Sequence, residues 1–177
     1  AAQGEGVLAC AKHYPGHGDT SLDSHGVLPE IDATFDVLWE RELVPYRMLA
    51  AEGVPAVMSG HLAYPRISGD EIPASLSPLL LDDILRKRIG FRGVVVTDDL
   101  FMSGAAVAGG FSEACVKAIE AGNDLIMISR TLELDDAAWN RMLREYRSNP
   151  SFAARVRASA ERVIELKLRY LWPRGRA

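Results

Sequence analysis

The residues best suited to catalysis lie in one short stretch, residues 12–25, which reads KHYPGHGDTSLDSH. It contains three of the chain's four histidines, His13, His17 and His25. Two aspartates, Asp19 and Asp23, lie among them. Proline and two glycines interrupt the stretch and indicate a loop. Loops that follow a buried strand and carry titratable side chains commonly have a function. The stretch is therefore predicted to form a functional site. A polar surface loop is the alternative.

Asp23 and His25 are separated by one residue in this loop. An aspartate that orients a histidine and stabilises its protonated form creates a proton shuttle near neutral pH. A solvated pair that formed by chance is the alternative, because this spacing alone is common.

A second candidate group, Asp98 and Asp99, follows the apolar stretch GVVVT of residues 93–97. A carboxylate at a strand end can act as a nucleophile, a general base or a metal ligand, and a helix cap or structural ion pair is the alternative. Because side chains alternate along a strand, we expect only one of the two to face the site.

The histidines of residues 12–25 raise the question of a zinc site. The chain lacks HExxH and the usual Cys/His ligand spacings, and PGHGDT matches neither phosphate-binding glycine motif. We therefore expect no metal and no cofactor.

Strands and helices that alternate along the chain are predicted to position these groups. The predicted strands are residues 7–13, 54–60, 93–97 and 124–129. The predicted helices are residues 35–52 with a break near Val44, a helix that starts at Ser77–Pro78 and ends at Gly90, and residues 112–121, 133–147 and 151–170. The break follows from Pro45, and Ser77–Pro78 is a typical helix start.

The predicted strands are continuous apolar runs, which is typical of parallel strands covered on both faces. Polar residues follow each strand directly: Lys12 and His13, Ser59 and His61, Asp98 and Asp99, and Ser129 and Arg130. Both barrels and open doubly wound sheets place chemistry at these carboxyl ends. A closed (β/α)8 barrel needs eight units in ~250 residues. The α/β pattern here therefore predicts either an open sheet or half a barrel, and an N-terminus that resembles the end of a helix favours the half barrel.

Composition narrows the partners. The 177 residues are 48% hydrophobic and 25% charged, which is typical of a globular domain. The formal net charge of −4 argues against a nucleic-acid partner. No apolar run approaches the ~20 residues of a membrane span.

Two stretches together resemble a known family. KHYPGHGDTSLDSH, followed by LPEI, resembles the KHFPGHG…DSH segment of family 3 glycoside hydrolases of the bacterial β-N-acetylhexosaminidase type. GFRGVVVTDDLFMSGA is similar to that family's GFxGVIxSDDLxMxGA segment. The intermediate stretches RELVPYRMLAAEGVPAVMSGHL and PASLSPLLLDDILRKRIG also resemble the family, so the similarity extends from the first strand to about Ser129.

The resemblance implies a (β/α)8 TIM barrel, of which this chain supplies about the last four βα units and the C-terminal helices. It also implies a retaining hydrolysis of terminal β-linked N-acetylglucosamine without a cofactor. Asp98 would be the nucleophile, with His25 as acid/base and Asp23 as its partner. Lys12 and His13 would bind sugar hydroxyls, and His61 is carried only as a candidate substrate-binding residue in the site wall. Asp99 would support the site, and His17 would structure the loop.

Muropeptides in cell-wall recycling are the expected substrates, and the cytoplasm is the expected location. A β-glucosidase of the same family is one alternative, although DSH at residues 23–25 favours the hexosaminidase. A histidine is neutral after it has given up its proton, so it repels a phosphate acceptor less than a carboxylate would. A phosphorylase is therefore another alternative. An inactive, non-catalytic fragment is the third.

The chain departs from the family in length. Residues 1–177 are expected to form a single partial catalytic domain that lacks the N-terminal half of the barrel. In the family, that half supplies an aspartate and arginines that hold the sugar. The chain alone would have half a pocket and two exposed sheet edges, so we expect it to be inactive or poorly folded without the missing half.

Overall fold

The computed structural model contains a parallel sheet of four strands in chain order. The structure describes residues 2–18, 20, 28–102, 109–131, 133 and 136–170. The strands are β1 (Cys10–Tyr14), β2 (Ala56–Ser59), β3 (Val94–Asp99) and β4 (Leu125–Met127). Neighbouring strands run parallel throughout, and β2 pairs with β3 in unbroken register. The predicted α/β fold with a parallel sheet is therefore confirmed.

Helices connect the strands and cover the sheet. They are α1 (Phe35–Val37), a π-helical turn (Leu38–Glu42), α2 (Val44–Ala51), α3 (Pro65–Ser68), a π-helix (Leu79–Arg88), α4 (Phe111–Ala121), α5 (Ala137–Ser148) and α6 (Pro150–Tyr170). Short 3₁₀ turns lie at Ala2–Glu5 and Ala74–Leu76. Three of the four strands, β1, β2 and β4, are shorter than predicted, whereas β3 extends two residues further, to Asp99. For example, β1 begins at Cys10 rather than at residue 7, because its pairing with β2 starts at Cys10.

Two helix starts follow from local sequence. The predicted break near Val44 is present, since α2 begins there with Pro45 in its first turn, where a missing N–H costs little. The turn before it closes with an i→i+5 hydrogen bond from Leu43 N–H to Leu38 O at 2.9 Å. At the π-helix Leu79–Arg88, Ser77 Oγ accepts a hydrogen bond from Leu80 N–H at 3.4 Å, as its predicted capping role requires.

The main core lies between the sheet and the helices that follow β1 and β2. It includes the fully buried residues Tyr14, Leu38, Leu80, Leu85 and Val95. The Tyr14 hydroxyl donates to the Leu80 carbonyl at 2.8 Å, which satisfies its only polar group inside this core. Within the described part of the chain, no helix is long and apolar enough to cross a membrane.

A buried ionic network lies at the amino end of β4. The fully buried carboxylate of Asp124, directly before β4, accepts from Arg86 at 2.5 Å and from Arg162 at 2.8 Å. Ser159 Oγ also donates to it at 2.9 Å. Arg86 lies in the π-helix, and Arg162 and Ser159 lie in α6, so one carboxylate joins two helices to the sheet.

Candidate active site

The carboxyl ends of β1 and β3 bring His13 and Asp98 together. His13 Nε2 lies 3.6 Å from Asp98 Oδ2, and the two side chains are 27% and 13% exposed. Gly60 follows the strand between them, and a Cβ at this position would lie 3.1 Å from the His13 Cβ. The missing side chain of Gly60 therefore leaves the room that His13 occupies.

Irregular strand pairing occurs at both residues of this pair. The register of β1 against β2 shifts between Ala11 and Tyr14, and that of β3 against β4 shifts between Val96 and Asp99. Irregular pairing commonly redirects side chains beside active sites. The shifts coincide with the positions of His13 and Asp98.

The Asp98 carboxylate has one fixed oxygen and one that faces His13. Its Oδ1 accepts a hydrogen bond from the Asp99 backbone N–H at 2.8 Å. The other oxygen, Oδ2, is the one near His13. A carboxylate held in this way, and still partly exposed, can attack an electrophilic carbon or accept a proton.

The surroundings of His13 favour its neutral form. Burial lowers the pKa of its imidazole below the ordinary value, and the positive charge of Lys12 adds to this effect, whereas Asp98 opposes it. The exposed His17 ring lies edge-on to His13, with 5.6 Å between centroids. A neutral imidazole has one N–H to donate, which suits hydrogen bonding to a hydroxyl group. Lys12 itself is exposed.

Asp99 accepts hydrogen bonds from backbone N–H groups through its side chain and its carbonyl oxygen. Its Oδ1 accepts from the backbone N–H groups of Phe101 at 3.0 Å and Ser129 at 3.2 Å. Its carbonyl oxygen accepts from Met102 N–H at 2.9 Å. These contacts join the segments that follow β3 and β4, and they agree with the supporting role expected for Asp99.

His61 lies behind the site, with only 1% of its surface exposed. Its Nε2 lies 3.0 Å from the Asp99 carbonyl, and its Nδ1 lies 2.7 Å from Ser75 Oγ. A carbonyl can only accept, so Nε2 carries the proton and Nδ1 accepts from the Ser75 hydroxyl. Both ring nitrogens are thus occupied, so this structure leaves neither free for substrate. The expectation that His61 binds substrate stays a prediction.

A buried polar network that sequence reasoning missed supports His61. Asn123 Nδ2 donates to the Ser75 carbonyl at 2.7 Å, and Ser59 Oγ donates to Asn123 Oδ1 at 2.7 Å. Ser59, Ser75 and Asn123 are all fully buried. The available signal was a serine or asparagine beside an apolar run, which does not identify its partner.

Asp23 and His25 lie outside the described residues, as does Asp19. The predicted roles of Asp23 and His25 in proton transfer stay predictions. Within the ranges that the structure describes, no group of three or more His, Cys, Asp or Glu residues could hold a metal ion.

A cavity among the described residues lies away from these side chains. It has a volume of about 340 Å³ and lies at the amino ends of β2 and β3, lined among others by Val54, Phe91, Arg162 and Tyr170. Arg162 is already bound to Asp124 there. The groups capable of catalysis lie at the carboxyl ends of the strands, so their chemistry locates the candidate site better than cavity size does.

Comparison with known proteins identifies the family. The family model described as "Glycosyl hydrolase family 3 N terminal domain" matches residues 1–166. The chain belongs to glycosyl hydrolase family 3. The family predicted from the two motifs is therefore confirmed.

Curated relatives in the family carry a consistent name. The chain is 44% identical over 131 residues to a protein named beta-hexosaminidase from Neisseria gonorrhoeae (strain NCCP11945), covering 74% of this chain and 36% of that protein. It is 40% identical over 152 residues to a beta-hexosaminidase from Neisseria meningitidis serogroup C (strain 053442), covering 85% and 40%. The chain thus spans less than half the length of these relatives.

Solved structures share the fold over nearly the whole chain. A glycoside hydrolase family 3 beta-N-acetylglucosaminidase from Paenibacillus sp. str. FPU-7 aligns with a TM-score of 0.90 at 39% identity, covering 99% of this chain and 33% of that one. The beta-N-acetylglucosaminidase from Thermotoga maritima aligns with a TM-score of 0.78 at 30% identity, covering 90% and 34%. This similarity is consistent with part of a (β/α) barrel.

Proposed function

We propose that this family 3 chain forms part of a retaining glycoside hydrolase that removes terminal β-linked N-acetylglucosamine. The observation that carries the proposal is the His13–Asp98 pair at the carboxyl ends of β1 and β3, 3.6 Å apart. Carboxyl ends of barrel strands are where barrel enzymes act. The relatives named beta-hexosaminidase support the choice of substrate.

Asp98 is the proposed nucleophile. Its oxygen attacks the anomeric carbon, so a carbon–oxygen bond to Asp98 forms as the glycosidic bond breaks. His25, oriented by Asp23, gives a proton to the departing oxygen. His25 then takes a proton from water, which attacks the same carbon and releases Asp98. Two inversions give overall retention.

Lys12 and His13 are the proposed sugar-binding groups. The ammonium group of Lys12 carries three donors, and a neutral His13 offers one N–H to a hydroxyl. His25 becomes a neutral imidazole when it gives up its proton, so it adds no second anionic group beside Asp98, which allows the carboxylate to remain ionised as the nucleophile.

The alternatives are less well supported. The chain also aligns with beta-glucoside phosphorylase BglX, with a TM-score of 0.88, but at 24% identity this likeness shows the fold alone. The DSH motif and the named relatives favour the hexosaminidase. Muropeptides as natural substrates, and the cytoplasm as the location, complete the proposal.

Azide rescue in the complete protein, with the rest of the barrel present, tests the roles of Asp98 and His25 separately. We expect Asp98→Ala to lower kcat for an aryl β-N-acetylglucosaminide by a factor on the order of 10⁴. Azide should restore turnover by attacking from the face that the carboxylate used, which yields the α-glycosyl azide. His25→Ala should lose about 10²–10⁴-fold and yield the β-glycosyl azide, because azide then attacks the glycosyl-Asp98 intermediate.

The stereochemistry of the azide product, read by NMR, distinguishes the two roles. Asp32→Ala is the matched control, because that carboxylate is 85% exposed in a surface pair with Arg66, and it should turn over normally. Unchanged turnover in Asp98→Ala, or a β-azide product from it, would overturn the assignment.

A further inference from the structure

An exposed aromatic cluster lies where β3 and β4 end. The rings of Phe101 and Phe111 stack with 4.3 Å between centroids at an angle of 16°. The Arg130 guanidinium lies 5.2 Å from the Phe101 centroid and 5.5 Å from that of Phe111. We call Phe101, Phe111 and Arg130 the rim cluster.

Asp99 attaches this rim cluster to the candidate nucleophile. Asp98 Oδ1 accepts from the Asp99 N–H, and Asp99 Oδ1 in turn accepts from the N–H groups of Phe101 and Ser129. Ser129 directly precedes Arg130. One member of the cluster, Phe101, and the residue before another, Arg130, are therefore hydrogen-bonded to the residue next to Asp98, at the carboxyl ends of the strands.

Phe101 leaves part of its ring surface exposed. It is 43% exposed, whereas Phe111 packs against the buried cluster that contains Leu100 and Cys115. Exposed aromatic surface is costly in water, and a phenyl ring cannot interact with solvent through a polar group. Phe101 therefore presents apolar ring surface three residues after Asp98, at the end of β3, where the Asp98 side chain is also partly exposed.

Arg130 stiffens the cluster instead of providing a free charge. Its Nη2 lies 2.7 Å from Asp136 Oδ2, and Asp136 also caps α5 by accepting from Ala138 N–H at 2.8 Å. The guanidinium thus has a carboxylate partner while it contacts both rings. The surface that remains for a ligand is apolar, which argues against recognition of an anion.

We propose that the rim cluster binds the leaving group of the substrate, with Phe101 as a stacking surface for a flat apolar face. Such a face is provided either by an aryl ring or by the C–H face of a second sugar. This inference depends on the proposed function, because a leaving group exists only if the protein cleaves glycosides. It assigns Phe101 a role in specificity that is separate from bond cleavage.

Three glycosides of N-acetylglucosamine test the proposal: the 4-nitrophenyl glycoside, N,N′-diacetylchitobiose and the methyl glycoside. In Phe101→Ala, we expect kcat/KM to fall about fivefold for a leaving group that stacks on Phe101. The methyl glycoside, which has no ring to stack, should change by less than about twofold. A fall for the aryl glycoside alone or for the disaccharide alone identifies which face the ring accepts. Phe101→Tyr should retain wild-type values.

Met48→Ala is the matched control, since it removes an even more exposed apolar side chain, 65% exposed, from α2. It should leave all three values unchanged. If Phe101→Ala lowers all three equally, the residue only supports Asp98 and the proposal is wrong. If it lowers none, the proposal is also wrong. These assays use the complete protein, in which the rest of the barrel is present. A complete wild-type protein that cleaves none of the three would instead overturn the proposed function, and this inference with it.

Discussion

His61 is the residue whose protonation state the structure defines most clearly. Its Nε2 donates to the Asp99 carbonyl, and in the neutral ring its Nδ1 accepts from the Ser75 hydroxyl. Burial lowers the pKa of this imidazole, and the nearby Asp98 and Asp99 only partly oppose that effect. The folded protein therefore resists protonation of His61 more than the unfolded chain does.

This resistance predicts a pH dependence of stability. The stabilisation is complete above the ordinary histidine pKa of about 6.5, and it is lost as the pH falls through the lower folded-state value. We expect the urea midpoint of the wild type to fall between pH 7 and pH 5. In His61→Gln, which keeps a donor for the Asp99 carbonyl but does not titrate, the fall should be smaller. Equal falls in the two proteins would contradict this account.

Sequence reasoning reached some of the site residues. Asp98 and His13 could be predicted because each follows an apolar run that forms a strand, and strand ends converge at one edge of a parallel sheet. The partners of His61 could not be predicted, because Ser75 and Asn123 approach it only after the intervening segments fold. The rim cluster was missed because Phe111, which stacks on Phe101, comes from the start of α4 and not from a strand end.

Helices and strands were predicted correctly where the local sequence determines them. Residues 54–60 and 93–97 gave β2 and β3 because they are apolar and buried on both faces. Helix α3 (Pro65–Ser68) and the turn Ala74–Leu76 were not predicted. They depend on long-range backbone bonds, such as Ala63 N–H to the Pro29 carbonyl at 2.9 Å and Ala74 N–H to the Leu62 carbonyl at 2.8 Å. Periodicity does not record such contacts.

The packing of α6 and of the π-helix Leu79–Arg88 against the sheet depends on Asp124. Loss of one partner from a buried ion pair leaves an uncompensated charge, at a cost of about 3–5 kcal/mol. We expect Asp124→Ala to lower the free energy of unfolding by about this amount, because Arg86, which is only 13% exposed, loses its carboxylate partner. Urea denaturation followed by circular dichroism measures the change.

Asp83→Ala provides the control for this prediction. It removes an exposed pair with Lys87, with side chains 52% and 73% exposed. Such surface pairs contribute little, so its unfolding curve should overlay that of the wild type. An Asp124→Ala variant no less stable than this control would show that the network does not hold the helices.

The whole molecule shows a sheet with two edges among its described residues. β1 pairs only with β2, and β4 pairs only with β3, whereas a closed barrel leaves no strand edge free. The family relatives are more than twice as long as their matched regions. We propose that further strands of the barrel join these edges and complete the sugar pocket. The expectation that the chain alone lacks full activity stays a prediction.

The central claim is that Asp98 forms a covalent bond to the sugar. A fluorinated N-acetylglucosaminyl fluoride, whose intermediate hydrolyses slowly, should trap that bond. After peptic digestion, mass spectrometry should find one added sugar on the peptide containing residues 94–102, with fragmentation placing it on Asp98. Asp98→Ala should take up no label. A sugar on Asp99 of the wild type, or a sugar adduct anywhere in the Asp98→Ala variant at the same extent of labelling, would contradict the account.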